Sequence, residues 1–279
     1  MRKYLFLLII TGLMLANPAK GQDECGKTPP KSVLETPVAK PDKDAPAEWD
    51  FVEYDDFSKN VVQIRSRQVN KSTGRVGTSG GTGVIIKCDK TQRHPRNENF
   101  YRGYILTCDH VVVRENIING TLEIQFQNGV KISEEAIVVM NHKGHDVSLI
   151  RCWIPVEYEG LVISREPLKF GDKVRMAGYG DLPDVKKPRY FESIVYRYSP
   201  SLIVVLEDAV PGDSGGAIMN SKGELVGLIS RGASAFKKHN GITITSPLHG
   251  PATAPMIMII TAHLQTEKLK KDLPVILEK

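Results

Sequence analysis

Long apolar runs are scarce in this 279-residue chain, and the one that stands out is short. Tyr4 to Ala16, inside the opening MRKYLFLLIITGLMLANPAKGQ, falls under the about 20 residues that a bilayer-crossing helix needs. Arg2 and Lys3 precede it and the small-x-small site Ala19-Lys20-Gly21 follows it, the layout of a secretory signal peptide cleaved after Gly21. An exported, periplasmic or secreted protein with no stable membrane association is expected. Cysteine is equally sparse. Cys25, Cys88, Cys108 and Cys152 have no metal-ligand spacing, so no metal is expected and no organic cofactor is implied. Polar Gln22-Asp23-Glu24 before Cys25 argues against a lipidation signal. Lys and Arg nowhere gather into an aromatic-interleaved stripe. Loss of Arg2, Lys3 and Lys20 with the signal takes the formal charge from +5 to about +2. Nucleic-acid and membrane-surface binding therefore gain no support. No internal repeat is visible.

What is present divides the chain. Residues 1–21 read as signal peptide and residues 22–48 as a Pro- and Lys-rich solvated linker, too poor in large apolar residues to offset the cost of ordering. From Asn60 short Val- and Ile-rich runs follow one another: NVVQI, GTGVIIKC, GYILTC, TLEIQF, EAIVVM and DVSLIRC. After SREPLKFGD comes a second series, KVRMAGY, RYFESIVYRY, SLIVVLE, GAIM, ELVGLISRG and GITITS. Six short strands, a polar joint and six more predict an all-β pair of barrels or sandwiches. One helix is expected over about 254–273, where Ile257, Ile260 and Leu264 recur at helical spacing.

Residues 210–218, VPGDSGGAI, crowd Gly212, Gly215 and Gly216 around Ser214. Each glycine in a strand costs roughly 0.5–1 kcal/mol, so the run marks either a tight turn or a backbone that must approach a ligand. A serine nucleophile needs a base, because its hydroxyl is hardly ionised at neutral pH. His110 ends the strand of YILTCDHVVV, where it is held rigidly beside a loop. A base in turn needs an orienting anion, and Asp146 opens the apolar strand DVSLIRC. Each residue alone has a commoner structural role, as strand-end polar group or turn residue. Their joint occurrence in the order His, Asp, Ser makes chance a poor explanation.

TCDHVV, DVSLI and PGDSGGAI resemble the three active-site motifs of the chymotrypsin-fold serine peptidases, closest in flavour to the bacterial HtrA/Deg and glutamyl endopeptidase group. GTGVII resembles their first hairpin, and GELVGLISRG the strand lining their specificity pocket; the similarity runs from about Asn60 to Leu248. The resemblance implies two six-stranded antiparallel Greek-key barrels, about 58–156 and 165–250, within a peptidase domain over 49–253, then a helix and tail over 254–279. It implies His110 as general base, Asp146 as orienter and Ser214 as nucleophile acting on a protein or peptide substrate. The amides of Gly212 and Ser214 would form the oxyanion hole, worth on the order of 3 kcal/mol per donor. A silent peptide-binding scaffold on the same fold is the alternative. An esterase of the α/β type is disfavoured, because no Gly-x-Ser-x-Gly elbow and no alternating helices are present.

By the same resemblance Asp208 falls where trypsin-type enzymes keep the acid that selects Arg or Lys. Ser230 and Gly232 match the strand that pairs with substrate backbone, and Gly241 would keep the pocket open. Without cysteines bracketing this region, Asp208 on the surface stands as an equal alternative. Ile229 occupies the position where a histidine would favour acidic substrates. Two departures from the pattern matter. No basic-Ile-Val-Gly-Gly activation site is present, so Asp213 needs a partner other than a freed N-terminus. About thirty residues follow Pro247, too few for the peptide-binding module of HtrA enzymes, so none is expected. Cys108 reads as a buried small residue, and the topology would bring Cys88 and Cys152 near enough to bridge.

Overall fold

The computed structural model describes residues 58–70, 72–112, 117–133, 135–180, 187–206, 209–230, 237–239, 242–244 and 248–267. All lie in the unit Trp49–Lys279. The signal-peptide and linker segments and the tail after Glu267 lie outside the described residues, as do Asp208, Gly232 and Gly241.

Among the described residues the first half of the unit folds into eight strands: β1 (Val61–Asn70), β2 (Val76–Ile86), β3 (Arg93–His94), β4 (Asn97–Thr107), β5 (Ile117–Gln125), β6 (Lys131–Ile132), β7 (Ile137–His142) and β8 (Val147–Pro155). They form one antiparallel sheet in the order β6-β5-β1-β2-β4-β8-β7, with β3 on β4. Six strands carry this sheet, as expected; β3 and β6 are two-residue additions. The strands are built from Val and Ile because both faces need apolar cover. Every residue of Val147–Pro155 except Arg151 is buried. β8 and its neighbour β7 pack against the C-terminal helix Thr253–Glu267.

The second half contributes β9 (Lys173–Gly178), β10 (Arg189–Ser199), β11 (Leu202–Val205), β12 (Ala217–Met219), β13 (Leu225–Leu228), β14 (Lys237–His239), β15 (Ile242–Ile244) and β16 (Leu248–Pro251). Six of them make an antiparallel sheet in the order β13-β12-β9-β10-β11-β16. An isolated bridge from Gly227 to Ala252 draws its two ends together into a nearly closed barrel. The sixth strand differs from expectation. GITITS supplies β15, which among the described residues pairs only with β14 as a separate hairpin. The barrel is completed by β16, in register Leu202–Pro251 through Val205–Leu248. His249 and two prolines, Pro247 and Pro251, hid that strand from a reading based on Val/Ile runs.

Of two apolar clusters, the larger joins residues of the first sheet to Ala177, Ala217, Met219, Leu225 and Leu228 of the second, and the smaller lies within the second half. The helix keeps Met256, Ile259, Ile260, His263 and Leu264 buried, a 3–4 residue spacing that forms one stripe. Its apolar members belong to the larger cluster, and it contacts β7 and β8 of the first sheet as well as β13 and β16 of the second. His263 meets the Tyr104 hydroxyl at 3.3 Å there. Cys88 and Cys152 are free, buried thiols, so the bridge between them is not formed. Burial pushes the Cys88 thiol up to about 12 and raises that of Cys152 as well.

Candidate active site

His110 sits in a short helical turn, Asp109–Val112, immediately after β4. That turn is anchored from below by its own neighbour. The buried Asp109 carboxylate accepts hydrogen bonds from Asn141 Nδ2 at 3.0 Å and Ser148 Oγ at 2.8 Å, tying the turn to β7 and β8. The His110 side chain remains 41% exposed, whereas that of Asp146 is 12% exposed.

Asp146 follows the 3₁₀ turn Lys143–His145 and takes a left-handed conformation, φ 52° and ψ 50°. Among L-residues aspartate is one of the few that visits this region readily, so the chain can reverse here and still present a carboxylate. Its Oδ1 accepts from the His110 amide at 3.0 Å, and the His110 ring Nδ1 lies 2.8 Å from Oδ2 and 3.0 Å from Oδ1. The Ser230 hydroxyl donates to Oδ2 as well. Burial pushes this carboxyl up, but the bonds from the His110 ring, the Ser230 hydroxyl and the His110 amide outweigh it. The net effect holds Asp146 below the ordinary carboxylate value. An ionised acceptor at Nδ1 places the ring proton there and the basic lone pair on Nε2.

Ser214 is delivered by the second sheet, in the turn before β12, and its Oγ donates to the Ser230 carbonyl at 3.2 Å. Ser230 therefore touches the proposed nucleophile with its carbonyl and the orienting acid with its hydroxyl. Thr82 of β2 clamps the turn from the first sheet. Its hydroxyl donates to the Gly212 carbonyl at 2.8 Å, and its amide donates to the Ser214 carbonyl at 2.8 Å. The Thr82 hydroxyl also accepts from the Tyr179 amide at 2.9 Å. The amides of Asp213, Gly215 and Gly216 bond to the Val210, Ile229 and Asp213 carbonyls. Those of Gly212 and Ser214 donate to no described residue. Gly215 has φ +87°, and a Cβ there would sit 2.0 Å from the Thr82 carbonyl oxygen and 2.3 Å from Thr107 Oγ1. Gly215 is thus required by the close approach of the two sheets, whereas a Cβ on Gly216 would meet the Ala177 carbonyl oxygen of the second sheet at 2.3 Å.

Asp213 is fully buried and does find a partner. Arg189, the first residue of β10, places Nε 2.8 Å from its Oδ2. Sequence reasoning missed Arg189, Thr82, Asn141 and Ser148. Only Thr82 had a local signal, since it stands inside Gly80-Gly81-Thr82-Gly83. Of the pocket residues, Ser230 lies at the site. A cavity of about 180 Å³ opens beside Asp146 and Ser230, bordered by Lys143, His145, Leu202 and His249. A larger one, about 270 Å³ near His94 and Trp153, borders Asn97, at the opposite end of β4 from His110. Cys108 Sγ, His110 and Asp146 offer ligand atoms within 4.8 Å of one another. The thiol donates to the Ile229 carbonyl at 3.1 Å, and burial raises its pKa well above the ordinary value. The cluster therefore lacks a ready thiolate and uses its imidazole and carboxylate on each other.

The family model of the trypsin-like peptidase domain matches residues 81–228, more than half of the chain and inclusive of His110, Asp146 and Ser214. The fold is similar to that of a serine endoprotease from Yersinia pestis, with a TM-score of 0.55 and 19% identity. The alignment covers 76% of this chain and 65% of that one, so this chain spans less than two thirds of that protein's length. Among curated proteins nothing matches.

Proposed function

Because this chain belongs to the trypsin-like peptidase family, we propose that it is a serine endopeptidase acting through an acyl-enzyme on Ser214. The observation that carries the reading is the doubly bonded pair of His110 Nδ1 and the Asp146 carboxylate, 2.8 and 3.0 Å apart. It fixes the imidazole tautomer that a general base requires. In the proposed cycle Ser214 Oγ exchanges its bond to the Ser230 carbonyl for one to His110 Nε2. The hydroxyl then attacks the substrate carbonyl carbon while His110 Nε2 takes its proton, and Asp146 stabilises the resulting imidazolium. The oxyanion is received by the amides of Gly212 and Ser214. Collapse expels the amine, which takes the proton back from His110 and leaves an ester on Ser214. Water, deprotonated by the same imidazole, hydrolyses that ester and restores the hydroxyl.

The substrate is a protein or peptide, and Asp208 is proposed to select Arg or Lys before the cleaved bond. Export through the signal peptide at residues 1–21 places the activity outside the cytoplasm. Incubation with a fluorophosphonate probe tests the chemistry. Wild type is expected to be labelled at Ser214 and Ser214→Ala to stay unlabelled; an unlabelled wild type would favour the scaffold alternative. Peptide-library profiling tests the pocket. Asp208→Ser is expected to lose the Arg/Lys preference by about a hundredfold, the scale of a desolvated ion pair. A surviving preference removes Asp208 from the pocket.

A further inference from the structure

The turn that carries Ser214 is held from two directions. From the first sheet, Thr82 engages the carbonyls of Gly212 and Ser214. From within the second sheet the Gly215 amide donates to the Ile229 carbonyl at 2.7 Å and the Gly216 carbonyl accepts from the Ile229 amide at 2.8 Å. The rest of the grip is on the side chain of Asp213, the residue between the two whose amides are assigned to the oxyanion. Asp213 Oδ1 accepts from the Gly180 amide at 2.9 Å and Oδ2 from the Val210 amide at 3.0 Å. Arg189 Nε lies 2.8 Å from Oδ2 and 3.1 Å from Oδ1. The guanidinium is itself stacked over the Phe191 ring, 4.5 Å from its centroid.

The chain around this carboxylate has been cleared to admit it. Gly178, the register partner of Arg189, would place a Cβ 2.7 Å from Asp213 Oδ1. Gly180, with φ +49°, would place one 3.1 Å from Val210 and 3.3 Å from Arg189 Cδ. A buried anion of this kind costs dearly unless a cation meets it. Among the described residues Arg189 is the one positive side chain bonded to it.

We propose that Arg189 is a positioning residue: through the Asp213 carboxylate it keeps the Val210–Gly216 turn in the form in which the Gly212 and Ser214 amides converge on the oxyanion. The cation is built into β10, so order in this turn does not wait on a freed chain terminus. The inference rests on the serine-peptidase reading, and its test separates the two. The limiting rate of fluorophosphonate labelling at saturating probe and the half-saturating probe concentration are measured for wild type, Arg189→Ala and Arg189→Lys, with folding followed by circular dichroism.

Arg189→Ala is expected to lower the limiting rate at least tenfold with the half-saturating concentration changed less than twofold. Guanidinium ion at millimolar concentration is expected to recover the variant severalfold while leaving wild type unchanged. A folded Arg189→Ala that labels at the wild-type limiting rate overturns the inference, even if its melting temperature falls. Should Arg189→Ala not fold, Arg189→Lys decides. It keeps the charge but lacks the Nε donor, so its limiting rate is expected to drop about threefold or more, and wild-type labelling by the folded variant overturns the inference. An unlabelled wild type overturns the serine-peptidase reading instead.

Discussion

Two carboxylates flank this chemistry, and their surroundings push them in opposite directions. Burial raises Asp213, against which the Val210 amide and the Arg189 charge pull without prevailing. Burial also pushes Asp146 up, but there the His110 ring and the Ser230 hydroxyl win, so its carboxyl is held below the ordinary value. A carboxyl lowered on folding adds stability that is fully present above the unfolded value, about 3.9, and is lost as pH falls through the folded value. Asp146→Asn removes that increment and donates an amide hydrogen toward Nδ1, which shifts the basic tautomer away from Nε2. Urea denaturation should therefore give wild type its largest advantage over the variant near neutral pH, shrinking below about pH 4. An advantage that grows on acidification would contradict the assignment. Fluorophosphonate labelling of the variant is expected to slow by about two orders of magnitude or more, within the range for a general base held in the wrong state.

At the scale of elements, Val/Ile runs bounded by Gly, Asn and Asp made the principal strands legible. GTGVIIKC supplied the buried half of β2 and DVSLIRC became β8, because a stretch buried on both faces must be apolar or small at nearly every position. Strands with few or no large apolar residues left no such mark. β3 and β6 are two-residue ribbons, and β16 reads Leu-His-Gly-Pro. β16 packs closely because Gly250 is bare; a Cβ there would stand 1.8 Å from the Leu228 carbonyl oxygen. The site was legible for a related reason. His110, Asp146 and Ser214 each carry a local pattern of strand end plus polar residue or glycine, whereas Arg189 is a lone cation opening a strand. Its meaning depends on Asp213, 24 positions away, and pairing at that distance leaves no periodicity in the chain.

At the scale of the whole unit, the proposed chemistry is divided between two sheets. His110 and Asp146 are set by β4, β7 and β8, while Ser214 and the oxyanion amides belong to the turn before β12. Thr82 joins these halves at the seam, together with the Ser230 hydroxyl on Asp146 and the Cys108 thiol on the Ile229 carbonyl. The C-terminal helix adds a further tie: it continues from β16 and buries Met256, Ile259, Ile260 and Leu264 in the cluster that residues of both sheets share. Helix contacts with β7 and β8 reach the strands that flank Asp146. Loosening the helix should then cost both stability and alignment. Leu264 is 5% exposed, and Leu264→Ala leaves a cavity expected to cost about 2–3 kcal/mol in urea unfolding, at the lower end for buried leucine. If the helix serves as a strap between the halves, the labelling rate per folded molecule falls as well, by severalfold under conditions where circular dichroism shows the variant fully folded. A variant that loses the stability but labels at the wild-type rate would make the helix a cover for the shared cluster only, and would leave alignment of the halves to Thr82 and the bonds of Ser230 to Asp146 and Cys108 to Ile229.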